Sequence, residues 1–129
     1  METVTVSQRG KEQLVQLKRR TGIKNWNVLC RWALAASLAE PSVPPRANIP
    51  ADSSVEMTWK VFAGEHADVI AAALRLRCHR DGLGTDDNTV ATYFKLHLHR
   101  GLGYLFADRG LQSIGDLVRV VPTLRKPLR

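Results

Sequence analysis

The sequence predicts a mainly α-helical, compact single-domain fold with one or two short β-strands. Apolar residues recur at helical spacing through most of the chain, glycine and proline interrupt that spacing at few places, and two-residue alternation is confined to two short stretches. With 129 residues and 44% hydrophobic content, the chain can close one core and leaves little for a second domain.

Thr3-Val-Thr-Val-Ser7 alternates polar with β-branched apolar residues and opens the chain as a strand. Gln8 to Thr21 switches to helical spacing with Leu14 and Leu17 inward, and Thr21-Gly22 supplies the stop, since glycine tolerates the left-handed conformation after a last turn. Asn25 or Asn27 caps a second helix reaching Glu40, which Pro41 ends. Only Arg31, Ser37 and Glu40 in it are clearly polar, so most of its circumference belongs in the core. Residues 41–52 hold four of the six prolines without periodicity, a proline-rich connection.

Val55 to Ala63 alternates again and reads as a second strand broken by Gly64. Glu65 to Arg80 reads as a helix with acids first and Arg75, Arg77 and Arg80 toward its end, the order a helix dipole favours. After an Asp81–Thr85 turn, Thr85 or Asp86 caps a helix carrying Val90, Phe94, Leu98 and Leu102, which Gly101 and Gly103 are placed to kink or end. Ser113 and Asp116 have capping-box spacing before a short last helix whose apolar face is Leu111, Ile114, Leu117 and Val121. Pro122 closes it, leaving residues 122–129 as a basic tail.

The formal net charge of +7 is unevenly distributed. Arg9, Lys11, Lys18, Arg19, Arg20, Lys24 and Arg31 face Glu12 alone across Arg9 to Arg31, whereas residues 32–116 hold eight basic against ten acidic groups. Arg119, Arg125, Lys126 and Arg129 make the C-terminal end basic as well. Clustering of this kind creates a local potential that recruits a polyanion, nucleic acid before an anionic membrane. The first residues lack the charged-then-apolar order of a secretory signal, and the longest apolar run, Trp32 to Ala39, falls short of the ~20 residues of a spanning helix. A cytoplasmic location is expected, with Cys30 and Cys78 as buried reduced thiols.

Lys18, Arg19, Arg20 and Lys24 are the leading candidates for phosphate contact, joined by Arg9, Lys11 and Arg31. Favourable placement at a helix C-terminus explains three of these charges and leaves the others unexplained. Arg31, on an otherwise apolar helix, must reach a carboxylate, a phosphate or solvent. His97 and His99 lie two apart, which on a helix points them in different directions and argues against a shared metal. His97 falls near the apolar stripe as a satisfied core residue, while His99 and Arg100 are placed to face an anion. Asp81, Asp86 and Asp87 are accounted for by turn and capping roles, so no catalytic residue and no metal ligand is assigned. No phosphate-binding glycine loop is present, and Trp26, Trp32 and Trp59 read as core.

Leu14-Val-Gln-Leu-Lys-Arg-Arg-Thr-Gly22, followed by Asn27-Val-Leu-Cys-Arg-Trp-Ala-Leu-Ala-Ala-Ser-Leu38 and, later, Phe94-Lys-Leu-His-Leu-His-Arg-Gly-Leu-Gly-Tyr-Leu105, together resemble the DndE family. That family is the small subunit of bacterial DNA phosphorothioate (sulphur) modification systems, and the resemblance spans Val4 to Val121. It implies a helical protein that assembles as an oligomer, a tetramer, and binds double-stranded DNA with a preference for nicked duplex, without a cofactor of its own. Other subunits of such systems carry the desulfurase, iron–sulfur and ATPase chemistry. The family's lysine-rich surface maps onto Lys18, Arg19, Arg20 and Lys24, although thirteen arginines against six lysines make arginine the main cation here.

Thr3 to Glu40 also resembles a ribbon-helix-helix unit in outline, in which Thr3, Thr5 and Ser7 would read bases from paired strands of a dimer. Two alternatives therefore accompany the DNA-binding reading. One is a nicking endonuclease or nick-processing factor using Asp81, Asp86 or Asp87 with His99. The other is a ribbon-helix-helix transcription regulator.

Overall fold

Val4 and Val6 are almost wholly buried, and the strand that carries them needs a partner for its backbone. The computed structural model, which describes residues 2–120, gives it one from the same chain. Strand β1 (Thr3–Thr5) pairs antiparallel with β2 (Glu56–Thr58), with Val4 opposite Met57. Backbone bonds from Val6 to Val55 and from Trp59 to Glu2 extend the pairing at both ends. The strand, helix and helix of the ribbon-helix-helix outline are all present, and β1 pairs along one edge with β2 of its own chain. Ser7 is not a strand residue: its hydroxyl accepts from the Gly10 N–H and caps the first helix.

Helix α1 (Gln8–Thr21) buries Leu14 and Leu17 and stops at Gly22, whose φ of 78° is left-handed and whose N–H donates to the Lys18 carbonyl. Helix α2 (Trp26–Ala39) follows after three residues. Asn25 holds the N-cap position without a side-chain bond, while Asn27 donates to the Val61 carbonyl instead. Residues 41–52 are irregular, as their prolines dictate.

The expected strand from Val55 to Ala63 is realised only as far as Thr58. The Thr58 hydroxyl accepts from the Val61 N–H and starts α3 (Trp59–Ala63). Trp59, Phe62 and Ala63 have helical spacing as well as lying within the alternation, and the contest is settled by packing. Trp59 and Phe62 both meet Phe94, with ring centroids 5.4 and 5.2 Å away, which a continuing strand could not arrange on one side. A 3₁₀ turn over Gly64–His66 leads into α4 (Ala67–Arg80).

Helix α5 (Asp87–Ala107) is capped by Asp86, whose carboxylate accepts from the Thr89 N–H. It passes through Gly101 and Gly103 without ending, contrary to the sequence expectation. A β-carbon at Gly101 would lie 1.7 Å from the Ala33 carbonyl oxygen, so this glycine allows α2 and α5 to cross backbone to backbone. Helix α5 packs mainly on α2 and next on α1, making it the centre of the core. Helix α6 (Ile114–Val120) ends the described chain. Leu117 in it and Leu111 ahead of it are buried, but Ile114 is exposed, and Asp116 reaches back to the Gln112 N–H and the Ser113 hydroxyl. Val121, Pro122 and the basic tail over 122–129 lie outside the described residues.

Cys30 and Cys78 are both free and buried, and burial pushes the Cys30 thiol up to about 12 against the pull of Arg31. Among the described residues no helix is long and apolar enough to cross a membrane.

Candidate nucleic-acid interface

The exposed side of α1 is cationic over its full length, with Glu12 its one acid. Helical geometry sorts its charges into rows. Lys11 and Lys18, seven residues apart, lie on the flank facing β2 and the start of α2, where Lys11 donates to the Ser54 hydroxyl and the Lys18 ammonium sits 4.1 Å from the Trp26 ring centroid. Arg9 and Arg20, eleven apart, lie on the flank facing α5, where Arg20 donates to the Phe106 carbonyl and stacks over its ring at 5.1 Å. Arg19 projects between the rows and is exposed. Lys24, also exposed, extends the basic side beyond the Gly22 turn.

Among the described residues none of these cations is ion-paired; the pairs there are Arg75 with Asp87, Arg77 with Asp81, and neighbouring His66 and Glu65. Their positions separate two causes. Lys18, Arg19 and Arg20 fill the last turn, where the carbonyl end of the dipole stabilises cations. Arg9 and Lys11 sit at the opposite end, in a first turn without an acid, where the dipole disfavours positive charge by a few tenths of a kcal/mol to about 1 kcal/mol. Helix stability does not explain them.

Two predicted site residues are spent within the fold. Arg31, half-buried on α2, donates to the Phe62 carbonyl at 2.7 Å and has no carboxylate partner among the described residues. Arg100 was expected to face an anion, yet its guanidinium is distributed over the Ser37 carbonyl and hydroxyl and the Ser42 carbonyl and hydroxyl. Buried Arg77 does the same work beside it, donating to the carbonyls of Leu38, Glu40 and Ser42 and pairing with Asp81 at 2.9 Å. The last carbonyls of α2 have no partner within their own helix, and these two arginines supply one while pinning the start of the proline-rich segment.

The histidines are structural. The Ser37 hydroxyl, which accepts from Arg100, is also hydrogen-bonded to Nδ1 of His97 at 2.8 Å. Burial, reinforced by the charges of Arg77 and Arg100, lowers His97 to about 4 and keeps it neutral. His99 accepts from the Ser7 N–H at Nε2 and donates from Nδ1 to the Lys95 carbonyl, so both ring nitrogens are used and burial lowers its pKa too. That wiring leaves His99 without a lone pair or proton for an anion or a reaction.

The carboxylates proposed for nicking do not converge with His99. Asp86 caps α5, Asp87 pairs with Arg75 and Asp81 with Arg77. Thirteen residues of helix separate Asp86 from His99, about 20 Å. No group of three or more His, Cys, Asp or Glu able to hold a metal occurs among the described residues.

One element was missed from sequence. Residues 44–50 fold back to wall a cavity of about 580 Å³ against α1 and α5, with Arg9 and Gln13 on one side and Gly103 and Tyr104 on the other. The available signal was the spacing of two glycines, because Gly101 and Gly103 cannot both face α2.

Residues 3–113 match a family model described as the DNA sulphur modification protein DndE. The chain belongs to the DndE family. Membership makes it part of a DNA phosphorothioation system. A crystal structure of a glycine-to-lysine double mutant of DndE, described as involved in DNA phosphorothioation, superposes with a TM-score of 0.62 at 16% identity, covering 80% of this chain and 94% of that one. At that identity the likeness establishes the DndE fold, mainly helical with a two-stranded antiparallel sheet. No curated protein matches the chain.

Proposed function

We propose that this DndE chain is a non-catalytic DNA-binding subunit that grips the sugar-phosphate backbone of double-stranded, nicked DNA with the exposed side of α1 and Lys24. One observation carries the reading. Arg9 and Lys11 stand in a first turn that electrostatics disfavours, without acidic partners, and continue the positive surface of Lys18, Arg19 and Arg20. Such an array contacts phosphates without reading bases, and each neutralised phosphate releases condensed counterions.

The protein acts in the cytoplasm, without a cofactor, beside subunits that supply the sulphur chemistry. It works as a homo-oligomer, a tetramer. Val69, Ala72, Ala73 and Leu76 form an exposed apolar stripe on α4 and support assembly of copies, which would repeat the basic surface and raise affinity through multivalency. Titration of intact and nicked duplex over a range of salt tests the function. Binding that weakens steeply with salt, and weakens less steeply when Lys18, Arg19, Arg20 and Lys24 become Ala, is the expected result. A salt-independent affinity, or one unchanged in that variant, overturns it.

A further inference from the structure

Gly103 lies inside α5, where glycine costs roughly 1 kcal/mol relative to alanine. For Gly101 the contact with Ala33 accounts for that cost. For Gly103 nothing among the described residues does: a β-carbon there meets none of their atoms outside its own helix backbone within 4 Å and would project into open space. That space is the cavity of about 580 Å³ between α1, residues 44–50 and α5. Its size lies within the usual range for a site holding a small organic group.

Some of the groups at the cavity are not used by the fold. Its lining includes the apolar Pro44, Ile49 and Leu96 beside Gly103. At its wall the Tyr104 ring is 40% exposed and is held by Arg100, whose guanidinium carbon lies 5.7 Å from the ring centroid and is itself fixed by Ser37 and Ser42. Gln13 and Asn48 also line the cavity, and neither side chain makes a hydrogen bond within the described chain. Arg9, without an acidic partner among the described residues, lines it too and lies on the same flank of α1 as Arg20.

A cation, two amides offering donors and acceptors, apolar side chains and an aromatic ring lining one cavity correspond to the parts of one nucleotide: its phosphate, the edge of its base and the two faces of the base. We propose that this cavity takes a single unpaired nucleotide, unstacked from the DNA whose backbone runs along α1. The inference rests on the DNA-binding reading above and adds to it a site for an extrahelical base. Base-on-aromatic contact is tolerant of sequence, so the cavity would sense a local defect in pairing and not a particular base. Asp52, which also lines the cavity, accepts from the Gln8 N–H and excludes a phosphate from its own surroundings, leaving the phosphate at Arg9.

The test uses the full chain and two labelled duplexes, identical except that one carries a single bulged adenine replaced by its fluorescent analogue. The wild-type protein is expected to bind the bulged duplex between several-fold and about a hundredfold more tightly than the paired one, with a change in the analogue's emission on binding. Tyr104→Ala and Gly103→Leu should abolish that preference and the emission change while leaving affinity for the paired duplex intact. Gly103→Ala, whose β-carbon meets only open space, keeps the fold and should lessen the preference. Equal wild-type affinity for the two duplexes, or a preference that survives both Tyr104→Ala and Gly103→Leu, overturns the cavity's role without touching the α1 surface. A change of oligomeric state on Gly103→Leu with no loss of bulge preference also overturns it, in favour of a second copy as occupant. Failure of the α1 reading shows separately, as paired-duplex binding indifferent to Arg19→Glu with Lys24→Glu.

Discussion

Gly101 touches Ala33 so closely that any β-carbon on it would fall 1.7 Å from the Ala33 carbonyl oxygen. The contact sets the depth at which α5 lies on α2, and thereby positions the α5 residues that support α1 and the cavity. Gly101→Ala must push two backbones apart and should destabilise the fold by at least the 1–3 kcal/mol typical of overpacking. Gly103→Ala, only two residues on, should instead be neutral or stabilising by up to about 1 kcal/mol. Thermal melts of the two variants check this, and similar effects at both positions would contradict the crossing.

His97 makes stability depend on pH with a defined sign. Its folded-state pKa is lowered from 6.5 to about 4, so between these values the unfolded chain binds a proton that the folded chain refuses. Stability is therefore full above the unfolded pKa, falls as pH drops through this window by about 1.4 kcal/mol per pH unit, and levels off below it. His99, shifted in the same direction, adds to the slope. His97→Gln should flatten the difference between denaturant midpoints taken at about pH 7 and about pH 5 relative to wild type. An unchanged difference would mean that His97 does not titrate as its burial requires.

Arg77 holds three carbonyls and a carboxylate whose side chain is only 11% exposed. Arg77→Met keeps the bulk of the stem but leaves the Asp81 carboxylate without its ion-pair partner and the Leu38 carbonyl without its arginine donor, a loss expected at about 3–5 kcal/mol. Limited proteolysis should then cut within residues 41–52, which Arg77 and Arg100 normally pin. A melt within 1 °C of wild type and an unchanged digestion pattern would refute this role.

Arg9→Glu separates function from stability. The charge reversal places an acid in the first turn of α1, which should stabilise the helix by about 0.3–1 kcal/mol. The same change should weaken DNA binding and reduce the salt slope by about one counterion or more. A variant that is both more stable and weaker in binding identifies Arg9 as a residue kept for its partner. Binding equal to wild type would remove Arg9 from the interface.

The elements written by local rules were legible in the sequence. Gly22 and Asp86 mark helix ends through bonds to residues within four positions, and the inward spacing of Leu14 and Leu17 oriented α1, whereas Ser7, which reads as a strand residue, is the α1 cap. The basic side of α1 was legible for the same reason, since a helix carries its own angular ruler. What failed depended on distant partners. Trp59 to Ala63 satisfied two periodicities at once, and Phe94 from α5 chose the helical one. The partners of Arg31 and Arg100 were not legible because they include backbone carbonyls, which every residue has and no composition reveals.

The chain's order of residues alone thus fixed where α1 stops and α5 starts, which way the apolar stripe of α1 faces, and that the opposite side of that helix would be positively charged. Tertiary structure decided which cations remain available, which of two nearby glycines is buried in a crossing and which borders empty space, and that the proline-rich segment returns to enclose a cavity. The division follows the range of the forces involved. Capping and periodicity act over a few residues, whereas burial, carbonyl capture and cavity shape exist only after segments far apart in sequence have packed together.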